Sequence, residues 1–331
     1  MTIRITIIGL GQIGGSIGLA LAEKKEAVYR IGHDINLETA RRAEKAGAVD
    51  KIAINLNSAV RDSDLILLAL PIDQIHDTLE VIAANLKENA TVMDTAPVKE
   101  IVAQWAGELL PKGRFYVGLT PVLNPKYLHL PGSGFLAAYP DLFQNGLMAI
   151  VAPPPNSSEA LQLASDLTKL LGAEPFFVDL LEIDGLMAAV HTLPQINAAA
   201  LVEATVSQPG WREGGKIAGR FYASVTSPMQ QLSEIKSLSA SMVFNKPNVL
   251  RVIDNLIATL HSLREEIEQG EKEHLEARLD RALEGRIKWW GQRQSGSLDP
   301  QLMRLSEIPT TGEMLGRFIG LRKRPKTRKE K

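Results

Sequence analysis

Two kinds of hydrophobic spacing divide the chain. From residue 2 to about residue 180, short β-branched runs alternate with stretches of helical periodicity. The runs IRITIIG, VYRIGHD, SDLILLALP, TVMDT, RFYVGL, GLMAIVA and PFFVD are bounded by Gly, Pro or Asp and predict strands. Between them, helices are predicted over Ile13–Ala22, Leu37–Ala46, Ile75–Leu86, Val98–Leu109 and Ser158–Leu171, the last with Asn156 and Ser157 as cap candidates. Strand then helix, repeated, predicts an α/β fold: a doubly wound, mostly parallel sheet covered on both faces.

After about Asp184 the strand signals stop. Val249, Ile253, Leu256, Leu260, Leu263 and Ile267 recur at spacings of four, three, four, three and four, one stripe of a helix, and Leu275, Leu279, Ala282 and Ile287 continue it. Most of that stripe reads as core, and its heptad-like seam also suits the packing of two subunits, so a homodimer is expected. Pro194 is expected to kink its helix and free a carbonyl. Residues 291–331 carry Gly, Ser, Pro and charge with little periodicity. The division is therefore a dinucleotide-type domain over 1–180, an all-helical domain over 181–290 and an extended, basic arm over 291–331.

Composition narrows the partners. Across 331 residues, 37 Lys plus Arg balance 38 Asp plus Glu, leaving no field to hold nucleic acid, and the basic run from Arg317 reads as a solvated tail. No uninterrupted apolar run reaches the roughly 18 residues of a membrane span. With no cysteine there is no disulfide frame and no thiolate, which suits a reducing, cytoplasmic setting. No metal site is expected, since the histidines show none of the spacings that bind one. Histidine has the unperturbed pKa nearest neutrality, so His33, His76, His129, His191, His261 and His274 are the first candidates for a catalytic base.

Gly9-Leu10-Gly11-Gln12-Ile13-Gly14 is a G-x-G-x-x-G placed between the first strand and the first helix, and Asp34 follows 20 residues after Gly14. Gly9 permits the tight turn, Gly11 admits a pyrophosphate, Gly14 lets helix and strand close, and the helix N-terminus supplies N–H groups. Asp34 suits the ribose hydroxyls of NAD; Arg41 and Arg42 in the next helix keep NADP open. Leu70 and Pro71, and then Asp94, end the strands that border the same crevice, where Asp94 and Lys99 fit a helix cap and surface ion pair equally well.

GLGQIGGSIGLAL (9–21), DLILLALPIDQI (64–75), DTAPVK (94–99) and SGFLAAYPDLFQNG (133–146) resemble, in order and spacing, the prephenate and arogenate dehydrogenases of tyrosine biosynthesis, over roughly residues 3–290. The resemblance implies a Rossmann domain followed by a helical dimerisation domain. It implies an oxidative decarboxylation in which a small cyclohexadienol gives up a hydride and carbon dioxide and becomes aromatic. Such a site needs an acceptor for the alcohol proton and a cation for a substrate carboxylate.

Four features depart from the family pattern. Thr120 stands where the family keeps a histidine, Pro97 replaces a serine, and the S-H-L-P-H segment reads His191-Thr192-Leu193-Pro194-Gln195. Arg220, ahead of Ser227-Pro228, matches the carboxylate-binding arginine with longer spacing. The catalytic candidates are accordingly His191, Thr120 and Arg220, with Thr192, Gln195 and Lys216 on the substrate; Lys126 and His129 are further sources of pocket charge. Three functions follow: the family reaction on prephenate or arogenate, a dehydrogenase for another small hydroxy or keto acid, or a silent dinucleotide-binding dimer.

Overall fold

The computed structural model describes residues 2–24, 26–130, 132–154, 157–230 and 235–295. The N-terminal part runs β1 (Ile3–Ile8), α1 (Gln12–Ala20), β2 (Val28–His33), α2 (Leu37–Lys45), β3 (Lys51–Ile52), α3 (Leu56–Val60), β4 (Leu65–Leu68), α4 (Ile75–Ala83), β5 (Thr91–Asp94), α5 (Glu100–Leu109), β6 (Phe115–Val122), β7 (Leu147–Val151), α6 (Ser158–Leu170) and β8 (Glu174–Phe177). Its single sheet has the order β3-β2-β1-β4-β5-β6-β7-β8, parallel except for the β6–β7 pair. The order reverses between β1 and β4, which opens a crevice above their carboxyl ends.

The near-continuous apolar strands follow from burial on both faces. In β4, Leu65 and Leu67 enter one core cluster while Ile66 and Leu68 enter the other. Thr6, the polar residue in β1, is satisfied by the Ala59 carbonyl at 2.7 Å and the Ser63 hydroxyl at 2.6 Å. Ser157 caps α6 by accepting from the Ala160 N–H, while Asn156 lies outside the described residues. Two elements escape the sequence pattern: β3 has two residues, too few for any periodicity, and α3 has five.

The C-terminal part is helical: α7 (Leu180–Met187), a π-helical turn (Ala188–Thr192), α8 (Leu193–Val206), α9 (Trp211–Ile217), α10 (Arg220–Thr226), α11 (Ile235–Phe244), α12 (Lys246–Gln269) and α13 (Lys272–Ser295). The kink expected at Pro194 takes the form of that π turn, with the proline in the first turn of α8. Two expectations are corrected here. Residues 291–295 are the last turn of α13 rather than arm, and 296–331, with the basic run, lie outside the described residues. Of the α12–α13 stripe only Val249 is buried; Leu260, Ile267, Leu279 and Ile287 are 53–65% exposed in the single chain. The segment Leu180–Val206 is also long and apolar enough, by length and composition, to cross a membrane, although Glu182, Asp184, His191 and Glu203 interrupt its apolar run.

The two parts meet at the N-terminus of α5. The Asp184 carboxylate of α7 accepts from the Lys99 N–H at 2.6 Å and the Glu100 N–H at 3.0 Å, and Asn245 Nδ2 donates to the Asp184 carbonyl at 2.8 Å. An acid at this end of a helix satisfies orphan donors and the dipole together. Beside it, Trp105 packs edge-on to Phe244 of α11 and to His76 of α4.

Candidate active site

The crevice above β1 and β4 is shaped by glycines with different duties. At Gly9 the backbone is left-handed (φ +89°), and a Cβ there would lie 2.3 Å from the Ala69 carbonyl. At Gly14 a Cβ would lie 1.9 Å from the Gly9 carbonyl. At Gly11, the N-cap of α1, a Cβ would meet nothing within 4 Å. Open space therefore stands in front of an α1 N-terminus with no side-chain cap and no acid in its first turn, so its N–H groups can receive a diphosphate. Gln12 and Ile13 are half-buried at that turn, Leu70 is half-buried and Pro71 exposed at the end of β4.

Asp34 connects this turn to β2. One carboxylate oxygen accepts from the Leu10 N–H at 2.8 Å and the other from the Asn36 N–H at 2.8 Å. An ionised carboxylate has about four acceptor positions, so capacity remains for ribose hydroxyls. Arg42 is engaged by Glu38 and Arg41 is exposed. His33 is held by the Ala53 carbonyl at 2.8 Å.

Asp94 sits differently from its expected place at the cofactor edge. It is fully buried, and its oxygens accept from Lys99 Nζ at 2.7 Å, the Ala96 N–H at 2.7 Å and the Tyr116 hydroxyl at 2.6 Å. The Asp94–Lys99 pair is thus interior, not the surface pair that the sequence also allowed. Burial pushes the Tyr116 phenol well up, and Asp94 adds to the shift, so the phenol stays a donor. Burial likewise raises the Asp184 carboxyl, against the two backbone donors that favour its charge.

Tyr116, Gly118 and Thr120 share one face of β6, since alternate strand residues point the same way. A Cβ at Gly118 would come within 2.9 Å of Lys99 Cδ and 3.0 Å of the Tyr116 hydroxyl, so the buried network lies at one end of this face. At the other end is Thr120, which is 5% exposed and whose Oγ1 has no hydrogen-bond partner. Thr120 pairs with Ala149 of β7, and Ala149 packs on Ile183 and Met187 of α7. The orphaned hydroxyl therefore faces the helix that leads to His191. An unpaired buried hydroxyl is costly and marks a place where a ligand can supply the partner.

His191 occupies the π turn. Its side chain is accessible to solvent yet lies among crowded neighbours, and desolvation holds its imidazole below the usual histidine range. Thr192 beside it is buried. Gln195 Nε2 donates to the His191 carbonyl at 2.9 Å, so the amide expected on the substrate serves the turn that Pro194 opens. Arg220 is exposed with its guanidinium 5.8 Å from the Phe221 ring, and Lys216 is exposed on α9. His129 stacks obliquely on Trp290, Lys126 pairs with Asp141, and His261 and His274 are exposed. Among the described residues His76, Asp77 and Glu80 bring ligand atoms within 4.8 Å of one another, a surface grouping absent from the sequence reading; both carboxylates are exposed and the His76 ring packs on Trp105.

The reversal point of the sheet, the open glycine turn and the helical second half define a dinucleotide-binding dehydrogenase. Residues 17–176 match the family described as prephenate dehydrogenase, nucleotide-binding domain, and residues 182–281 match prephenate dehydrogenase, dimerization domain. The chain belongs to the prephenate dehydrogenase family. It is 28% identical over 279 residues to a prephenate dehydrogenase of Bacillus subtilis (82% of this chain, 72% of the relative). To a cyclohexadienyl dehydrogenase of Zymomonas mobilis it is 25% identical over 275 residues (82% and 91%). In fold it is similar to a prephenate dehydrogenase from A. aeolicus in complex with hydroxyphenyl propionate and NAD+, with a TM-score of 0.77, 21% identity and 87% and 98% of the two chains covered. The Synechocystis arogenate dehydrogenase shares the fold at a TM-score of 0.69, 22% identity and 87% and 100% coverage.

Proposed function

We propose that the chain is an NAD-dependent dehydrogenase of the prephenate or arogenate type, acting as a cytoplasmic homodimer. The observation that carries the reading is the orphaned Thr120 hydroxyl on a wall facing α7, in a chain whose nucleotide-binding and dimerization segments both match the family. A bound nicotinamide supplies the hydride acceptor. Gly11 and the α1 N-terminus hold the diphosphate, Asp34 the ribose, and the β4 and β5 ends border the crevice. Thr120 orients the substrate hydroxyl by hydrogen bonding; its own proton is too tightly held for it to act as a base. His191, neutral at pH 7, accepts the proton, and Arg220 is the candidate carboxylate clamp, with Lys216 and Thr192 as further candidate contacts to the substrate. The exposed apolar stripes of α12 and α13 suit coverage by a second copy.

Purified protein mixed with prephenate or arogenate and NAD or NADP is expected to produce reduced nicotinamide in at least one pairing. If all four stay silent while NADH still binds, a dehydrogenase acting on another small hydroxy acid becomes the better reading, one that Thr120 in place of a titrating base favours. The rate should fall on the acid side with an apparent pKa below 6.5, because protonation removes the acceptor that desolvation keeps neutral. His191→Asn should abolish that limb and lower the rate by about 10²–10⁴; an unchanged profile rules His191 out as the base. Asp34→Ser should weaken NAD and shift the NADP-to-NAD preference toward NADP, read as a ratio of kcat/KM values. No shift would refute its ribose role.

A further inference from the structure

We infer that the pocket between the exit of β6 and the tip of α13 is a second small-molecule site, one that takes a planar carboxylate through Arg293 and Trp290. The pocket encloses about 480 Å³ and is lined by Asn124, Lys126, His129 and Asn145 from the N-terminal part and by Trp290 and Arg293 from α13. Small-molecule sites commonly fall between roughly 300 and 1,000 Å³. None of its lining residues belongs to the glycine turn, so it stands apart from the dinucleotide crevice.

Charge points to an anion. The last eleven residues of α13, Gly285–Ser295, hold Arg286, Lys288 and Arg293 and no carboxylate. Asp141, the acid at this end of β6, is engaged by Lys126 Nζ at 3.0 Å and by the Tyr127 hydroxyl, so Lys126 is already balanced. Arg293 has no such counter-ion among the described residues: it donates to the Leu123 carbonyl and is half-buried, with desolvation lowering its pKa. A partly desolvated guanidinium without a carboxylate gains most from a bidentate oxyanion.

Shape points to a flat ligand. The rings of Trp290 and His129 lie 4.9 Å apart at 49°, one from each part of the chain, and the Arg286 guanidinium lies 4.9 Å from the Trp290 ring centre. Trp290 is thereby held in place, and its ring offers an edge-to-face contact to an aromatic ligand beside the guanidinium that would hold the carboxylate. Trp290 and Arg293 lie in the last part of α13, outside the residues 182–281 that match the dimerization family.

Calorimetric titration of the full-length protein with phenylacetate should show saturable binding, weaker with cyclohexylacetate and weaker again with inorganic phosphate. Arg293→Met should lower phenylacetate affinity at least about tenfold, equivalent to 1.4 kcal/mol, with Arg293→Lys intermediate and Arg281→Met, on the exposed side of α13, unchanged. Trp290→Leu should erase the preference for the phenyl ring. NADH titration reports separately on the crevice and should be unaffected by every variant; loss of NADH binding in the wild-type chain would count against the dinucleotide reading and not against this site. Absence of phenylacetate binding, binding that survives Arg293→Met, or phosphate binding as tightly overturns the inference.

Discussion

Lys99→Met is expected to lower stability by about 3–5 kcal/mol, the usual consequence of breaking a buried ion pair by removing one partner. Lys99 and Asp94 are both fully buried, and the ammonium is the carboxylate's only cation among the described residues. Burial pushes the Lys99 pKa down, and the Asp94 charge opposes that shift. Methionine keeps the length of the stem, so packing against Gly118 is largely retained and the loss is electrostatic. What remains is a carboxylate in the interior with only the Ala96 N–H and the Tyr116 hydroxyl. Asp94→Asn combined with Lys99→Met removes both charges and should be more stable than Lys99→Met alone; denaturant melts of the two single variants and the double variant give the coupling. A single variant within about 0.5 kcal/mol of wild type, the range of ordinary surface substitutions, would show that the pair is not what holds this corner. Turnover should suffer as well, because the displaced β5–α5 turn and Gly118 adjoin the wall that ends at Thr120.

The sheet was readable from sequence because its strands carry β-branched residues between turn formers, and most are followed by a helix with one apolar side. β3 was not, because two residues have no period, and the antiparallel entry of β7 follows from the path of residues 123–146 rather than from any residue of β7. The glycine turn and Asp34 were readable for a related reason: their chemistry is local, and the spacing alone brings Leu10 and Asp34 together. Depth is what a one-dimensional pattern does not carry. Asp94 and Lys99, five residues apart, look the same whether solvated or interior. Arg30 sits within a strand run as an ordinary polar interruption, yet it is fully buried, forked onto Asp50 and bonded to the Gly18 and Gly47 carbonyls. Gly15 offers another instance. A Cβ there would come 2.7 Å from the Phe135 ring, and the neighbouring Ser16 hydroxyl accepts from the Tyr139 N–H at 2.9 Å. The Gly14-Gly15-Ser16 run is thus explained by a segment 120 residues later. Arg293 was missed because the absence of apolar periodicity after residue 290 concealed the last turn of a helix.

Gly11→Ala and Gly14→Ala should separate binding from folding, although both alter one turn by one methyl group. At Gly14 the new Cβ would overlap the Gly9 carbonyl at 1.9 Å and press on Ala69 Cβ at 3.0 Å. Both neighbours are fixed: Gly9 has a left-handed backbone and its N–H is bonded to the His33 carbonyl, and Ala69 donates to Ile8 of β1. Helix α1 must therefore move off β1, and overpacking of this kind costs typically about 1–3 kcal/mol. The shift also drags the α1 N–H groups away from the diphosphate position, so NADH affinity should fall about a hundredfold or more, some 2.7 kcal/mol. At Gly11 φ is −72°, a value alanine adopts freely, and no atom lies within 4 Å of the new methyl. Gly11→Ala should melt with the wild type, yet its methyl stands where the diphosphate would approach, so NADH binding should weaken while stability holds. Thermal melts and NADH titrations of the two variants check both halves. A Gly11→Ala protein that binds NADH like the wild type would place the dinucleotide elsewhere, and a Gly14→Ala protein that melts and binds like the wild type would show that α1 yields without loss.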